Sequence, residues 1–233
     1  MKFSKKTLSL VAAITFSIGL VSCNTQNTAT TVSSPKGTEI TADEAIKLLQ
    51  EGNERYVKGE TLATDISVER KTELFKDGQF PYAVVVGCSD SRVPVELLFN
   101  EGLGNIFVIR NAGNVIDSVS LGSVEYGAEH LHSPLIVVLG HQNCGAVKAT
   151  VDGGHASENI EEIKELITPA YDIAKNSTTD SKKIYTITED ENIKNSIEEI
   201  KKSEVIQELI NENKVKVVGA KYSVETGEVT FLE

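Results

Sequence analysis

Four short apolar stretches, rich in β-branched residues and, in the first three, unbroken by polar ones, restrict most strongly what this chain can become. They are Tyr82–Gly87, Ile106–Ile109, Leu135–Gly140, and the segment from Lys214 to Ala220 around Val215, Val217 and Val218. A strand with one wet face alternates apolar and polar side chains, whereas an unalternating run needs cover on both faces. Helical periodicity separates the runs. The pattern predicts an α/β fold: a mostly parallel central β-sheet flanked by helices.

The intervening segments fill in that frame. Thr41-Ala42-Asp43-Glu44 has the form of a capping box and opens a helix with Ala45, Leu48, Leu49 and Tyr56 on one face. Ser120–Leu131 has helical spacing, and a further helix is expected from Cys144 to Val151. Asn159–Ala174 and Glu191–Asn211 read as two charged amphipathic helices joined through a loop at Ser177–Asp180, and a solvated face is their expected role. Pro169 is expected to kink or end the first of them. Val229–Leu232 predicts an edge strand. No repeat of fixed period interrupts this order, so residues 39–233 read as one domain.

The N-terminus has a different character. Lys2, Lys5 and Lys6 precede an apolar run from Leu8 to Val21. That run is short for a membrane span, which needs about 20 residues, and it suits a signal-peptide core. Leu20-Val21-Ser22-Cys23 resembles the bacterial lipoprotein cleavage box, in which the cysteine becomes the lipidated first residue. Residues 1–22 are therefore expected to be a signal peptide and Cys23 the lipidation site, with residues 23–38 a flexible polar tether. Such a chain is exported and anchored to a bacterial membrane, on the periplasmic side, without spanning it. The net charge of -11 argues against nucleic acid as a partner, because a phosphate backbone needs a basic face.

Lipidation of Cys23 leaves two of the three cysteines, Cys88 and Cys144. They either bridge each other or act as thiolates. Each lies in a polar cluster directly behind an expected strand. Cys88-Ser89-Asp90-Ser91-Arg92 follows Gly87, and His141-Gln142-Asn143-Cys144 follows Gly140. Parallel strands present their carboxyl ends along one edge, where ligands bind, so both clusters fall there despite their separation in sequence. Two thiolates, the His141 imidazole and the Asp90 carboxylate make a set suited to one tetrahedral zinc ion per chain. A catalytic zinc keeps one position open for water. A helix N-terminus favours the thiolate of Cys144. Arg92 can pair with Asp90 through two hydrogen bonds, holding it off the metal or in a fixed place beside it. The competing readings are a Cys88–Cys144 disulfide, an ordinary Asp90–Arg92 surface pair, and a closed structural site of Cys88, Asp90, His141 and Cys144.

Over most of residues 75–150 the chain resembles the β-class carbonic anhydrases. The resemblance rests on Gln79 ahead of Pro81, Cys88-Ser89-Asp90-Ser91-Arg92-Val93-Pro94, Arg110-Asn111-Ala112-Gly113-Asn114, Ser123-Val124-Glu125-Tyr126-Gly127 and Gly140-His141-Gln142-Asn143-Cys144-Gly145. It implies reversible hydration of carbon dioxide to bicarbonate and a proton, by hydroxide on zinc. It makes Cys88, His141 and Cys144 permanent ligands, and Asp90 either a fourth ligand or the acceptor of a hydrogen bond from the hydroxide, with Arg92 as its partner. Gln79, Phe107, Tyr126 and Gly145 match positions lining the carbon dioxide pocket in plant-like members, and Ala112 joins Phe107 as apolar wall. That pocket lies at a dimer interface in the family. A homodimer or larger even-numbered assembly is thus implied, with Gln79, Phe107 and Tyr126 serving the partner's zinc. The bicarbonate-regulated branch carries a Trp where this chain has Val85, so that regulation is not expected. Two thiolate ligands leave the metal less electrophilic than three imidazoles would, so activity is expected to favour alkaline pH. His130, His132 and His155 are placed by no motif. Two other activities fit the same residues: hydrolysis of carbonyl sulfide or carbon disulfide, and non-catalytic zinc binding by a lipoprotein.

Overall fold

Burial on both faces decides the architecture. Every residue of β1 (Ala83–Cys88) and of β3 (Leu135–His141) is buried. The computed structural model describes residues 36–60 and 65–232. Residues 1–35, with the expected signal peptide, Cys23 and nearly all of the tether, lie outside them. Among the described residues, β2 (Ile106–Asn111), β4 (Lys216–Tyr222) and β5 (Val229–Phe231) complete a sheet of order β2-β1-β3-β4-β5. All neighbours are parallel except β5, which runs antiparallel along the edge of β4.

Side chains alternate between two apolar layers, as the pleat requires. Val85, Val137 and Leu139 face a layer formed with α1 (Ala42–Lys58) and α3 (Val95–Leu98). Val84, Val86, Ile136 and Val138 face the other, which holds Val124 of α4 (Ser118–Glu125), Ile193 and Ile200 of α7 (Ser181–Lys201) and Ile206 of α8 (Glu204–Asn211). The expected capping box forms: Thr41 Oγ1 accepts from the Glu44 amide at 3.3 Å, and the Glu44 carboxylate accepts from the Thr41 amide at 2.8 Å. A π-helical turn, Tyr126–His130, continues α4 over the rest of the expected helix. The helix α5 (Gly145–Asp152) follows directly on Cys144.

Three features of the charged C-terminal half sharpen or correct the expectation. The helix α6 (Glu158–Ser177) does not end at Pro169 but runs through it. Pro169 supplies no amide to the turn before it, and the burial of Ile167, Ala170 and Ala174 around it offsets that loss. What reads as one helix over Glu191–Asn211 is two, α7 and α8, and α7 begins ten residues earlier, at Ser181. The break falls where Ser203 caps α8 by accepting from the Ile206 amide at 3.3 Å, while its hydroxyl donates to Glu125 Oε1 at 2.6 Å. Nor is α7 a solvated face throughout: Thr188, Glu189, Asn192 and Ser196 are buried along with Ile193 and Ile200. The sequence pattern also missed α2 (Val68–Asp77), which buries no residue.

The winding positions the site. From β1 the chain crosses to β2 on one side, then returns past β1 to β3 on the other. The crevice above the carboxyl ends of β1 and β3 is therefore a topological switch point, where open α/β sheets bind ligands. Among the described residues, no helix is long and apolar enough to cross a membrane.

Candidate metal centre

Cys88 is the last residue of β1, and His141 is the last of β3, its neighbour in the sheet. Cys144 stands three residues on, where it caps α5. The ligand atoms of these three side chains lie within 4.8 Å of one another. All three residues are buried, with relative exposures of 4%, 1% and 3% for Cys88, His141 and Cys144. The two cysteines are free, so the disulfide reading is not realised.

The cluster has the chemistry of a cation cage. Nδ1 of His141 lies 2.9 Å from the Gln142 carbonyl, to which it donates. That bond fixes the tautomer and leaves the lone pair on Nε2, a buried atom with no hydrogen-bond partner. A buried imidazole lone pair beside two sulfurs is the donor set that zinc takes. Cys88 Sγ accepts from the amides of Asp90 at 3.4 Å and Gly113 at 3.3 Å. Gly113 reaches it from a left-handed conformation, φ 73°. A Cβ there would sit 2.8 Å from Ile167 Cδ1. A hydrogen bond from Cys144 leads in drawing the Cys88 thiol down to about 4, and the same bond, with burial, pushes the Cys144 thiol up. For His141, burial opposes the charged form, but Cys88 and Asp90 outweigh it and raise the group overall.

Asp90, grouped from sequence with the metal ligands, stands outside this cage. Arg92 occupies both of its oxygens: Nε donates to Oδ1 at 3.0 Å and Nη2 to Oδ2 at 2.7 Å, and the Arg92 amide adds a bond to Oδ1 at 2.9 Å. These bonds hold the carboxyl down to about 2, against the opposing pull of desolvation. The four-ligand closed set is therefore not formed in this structure. Arg110, for which the motifs alone suggest no role, fixes the strand end from beneath. Its Nε donates to the Cys88 carbonyl at 2.9 Å and its Nη2 to the Asp90 carbonyl at 2.6 Å. The strand register explains how it gets there, since Arg110 of β2 faces Gly87.

The expected pocket residues fall into two groups. Ala112 and Gly145 adjoin the cage, beside Gly113 and Cys144 in the chain. Phe107 pairs in register with Val84, four residues short of Cys88 and so about 13 Å down the strand. Its ring centroid lies 6.1 Å from that of Tyr126. Tyr126 and Gln79 in turn line an open groove with Phe75, Phe80, Leu103 and His130. Within one chain, then, Gln79, Phe107 and Tyr126 are gathered away from the metal cage.

A family model described as carbonic anhydrase matches residues 83–229. The chain belongs to the carbonic anhydrase family. The carbonic anhydrase of Mycolicibacterium smegmatis is 49% identical over 130 residues, which cover 54% of this chain and 63% of that protein. The match thus spans about three-fifths of that relative's own length. The solved β-carbonic anhydrase of Coccomyxa is 27% identical with a TM-score of 0.63, covering 82% of this chain and 87% of that one. That of Aspergillus fumigatus is 25% identical with a TM-score of 0.64, covering 71% and 83%. These likenesses place the chain in the β class. Carbonic anhydrases of that class use zinc, and Cys88, His141 and Cys144 are the residues of this chain that fit it.

Proposed function

We propose that this carbonic anhydrase family member interconverts carbon dioxide and water with bicarbonate and a proton. One observation carries the reading: a buried cage of three donors with an ionised carboxylate, Asp90, pinned beside it by Arg92. Zinc, when bound, supplies a Lewis acid that brings the pKa of water from about 15.7 to near 7. Three protein donors suit a catalytic site, which leaves a position for solvent. Asp90 accepts hydrogen bonds and donates none while ionised, and Arg92 keeps it ionised far below neutral pH. It therefore orients the attacking oxygen by accepting a hydrogen bond from it, which turns a lone pair toward the carbon. Arg92 is itself held in place, since its Nη2 donates to the Asn143 carbonyl at 3.1 Å.

The active form is a homodimer or a larger even-numbered assembly. Phe75 is 90% exposed and Val68 is 71% exposed. Apolar side chains this open, with Phe75 on the groove of Gln79 and Tyr126, favour burial against another copy. In that arrangement Gln79, Phe107 and Tyr126 of one chain line the pocket of its partner. The export and lipid anchoring of the chain rest on the basic N-terminus, the apolar core and Leu20-Val21-Ser22-Cys23. Metabolic labelling with a palmitate analogue tests the anchor: label is expected on the natural chain and absent from Cys23→Ser, and an unlabelled natural chain rejects it.

Stopped-flow carbon dioxide hydration, run with metal analysis on the purified protein, tests the activity. Asp90→Ala is expected to keep zinc and lose most turnover. Turnover at the unsubstituted level rejects the role of Asp90. Carbonyl sulfide assayed alongside decides the substrate, since a faster rate on it overturns the assignment.

A further inference from the structure

The helix α7 lies outside both motifs, yet its buried polar face is aimed at the two loops that bear them. Glu189, Asn192 and Ser196 follow one another at helical spacing on one side of α7, at 7%, 1% and 2% exposure. Glu189 Oε1 accepts the amide of Asn143 at 2.7 Å. Asn143 immediately precedes Cys144 and is held in the left-handed region, φ 55°. Arg92 takes the carbonyl of the same residue, so Asn143 is gripped from opposite sides by α7 and by the partner of Asp90. Asn192 Nδ2 donates to the Gly113 carbonyl at 2.7 Å, and Gly113 is the residue whose amide reaches the Cys88 sulfur. Ser196 Oγ donates to the carbonyl of the next residue, Asn114, at 3.0 Å.

Two further features keep α7 in register with the site. Lys221 of β4, one residue short of the strand end, pairs with Glu189 at 3.0 Å and with Asp190 at 2.6 Å. The carboxylate that bonds Asn143 is thus tied to the sheet as well. Ile193 lies against two glycines of the sheet: a Cβ at Gly140 would come within 2.5 Å of its Cγ1, and one at Gly219 within 2.8 Å of its Cγ2. Gly140 directly precedes His141. The helix therefore touches the residue before or bonded to each of the three donors.

We infer that Glu189 and Asn192 are positioning residues for the metal cage: through Asn143 and Gly113 they hold Cys144 and the amide that serves Cys88 in place before an ion arrives. This rests on reading Cys88, His141 and Cys144 as the zinc site. A preformed cage pays less ordering cost on binding than a loose one, and partners one shell out from a metal typically matter roughly 10–100-fold in affinity.

The test uses the full chain, zinc competition against a chromogenic chelator, and the absorption spectrum of the cobalt-substituted protein, which reports donor geometry without turnover. Glu189→Ala and Asn192→Ala are each expected to weaken zinc by roughly 10-fold or more and to shift the cobalt bands. Glu189→Gln, which still offers an oxygen to the Asn143 amide, is expected to restore most of both. Folded alanine variants with unchanged affinity and spectrum overturn the inference. A Glu189→Gln loss as large as that of Glu189→Ala overturns the hydrogen-bond assignment. Should Glu189→Ala fail to fold, Asn192→Ala and Ser196→Ala decide the matter by the same two readouts. If the natural chain takes up neither metal, it is the zinc reading that fails.

Discussion

Arg92 holds the carboxylate of Asp90 by both oxygens, at 3.0 and 2.7 Å, and keeps it out of a cage whose first ligand is only two residues away. An aspartate this close to a cation has an obvious alternative partner, the cation itself. Removing the guanidinium is expected to release it. Arg92→Ala should lower carbon dioxide hydration by about 100-fold, within the range for losing one positioned hydrogen-bond partner, while zinc binds at least as tightly. Lysine should not rescue, because it lacks the planar fork. Stopped-flow rates and chelator competition on the same samples check this.

The pH dependence of Asp90 has a definite sign. Its pKa is depressed, to about 2, chiefly by the bond from Arg92. The stability it contributes is therefore present above the ordinary carboxylate range and lost only as pH falls through about 2. Between pH 5 and 9 it stays ionised. A rise in rate toward alkaline pH in the natural protein should persist unchanged in shape in Asp90→Asn, at a lower plateau. A profile that flattens would show that Asp90 titrates in this range after all.

Metal uptake should expel protons. Cys88 and burial hold the Cys144 thiol up, and zinc binds thiolates. Titrating zinc into weakly buffered metal-free protein near pH 7 is expected to release at least one proton per ion, with affinity falling as pH is lowered. Uptake without acid release would mean that both sulfurs are already deprotonated.

Gly140 is a packing requirement. A methyl group there would meet the buried side chain of Ile193, and overpacking of this kind costs about 1–3 kcal/mol. Gly140→Ala should lose that much in urea unfolding. The double variant Gly140→Ala/Ile193→Val should recover part of it, since contacting sites do not add. Simple additivity in the double variant would refute the contact.

The exposed Phe75 separates assembly from metal binding. It lies on the groove with Gln79 and Tyr126 rather than at the cage. Phe75→Glu should shift sedimentation toward the monomer and lower hydration, with zinc content unchanged. An assembly that survives the substitution would place the interface elsewhere.

The sheet was legible because its central strands are buried on both faces, so that Ala83–Cys88 and Leu135–His141 appear in the sequence as unbroken apolar runs. The convergence of Cys88, His141 and Cys144 was legible too, because parallel strands end on one edge. The remainder depends on tertiary partners that no local pattern announces. Glu189 has the composition of a surface residue, and it is buried only because Lys221 and the Asn143 amide meet it there. The break between α7 and α8 falls in a polar stretch and is set by Ser203, whose hydroxyl bonds Glu125 in another helix. The helix α2 buries no side chain, so no core contact marks it out in the sequence. Arg110 reaches Cys88 and Asp90 through strand register, which neighbouring residues do not reveal.

The strand order has a bearing on how the molecule comes apart. Cys88 and His141 terminate β1 and β3, each flanked by a neighbour on either side, whereas the short β5 closes the rim of the sheet. Thermal fraying starts at such rims and works inward, so β5 can peel from β4 many times over without disturbing the thiols or the imidazole. Backbone amides of Val85–Gly87 and Val137–Leu139 should accordingly be among the last to exchange with deuterium, surrendering only when the whole molecule opens.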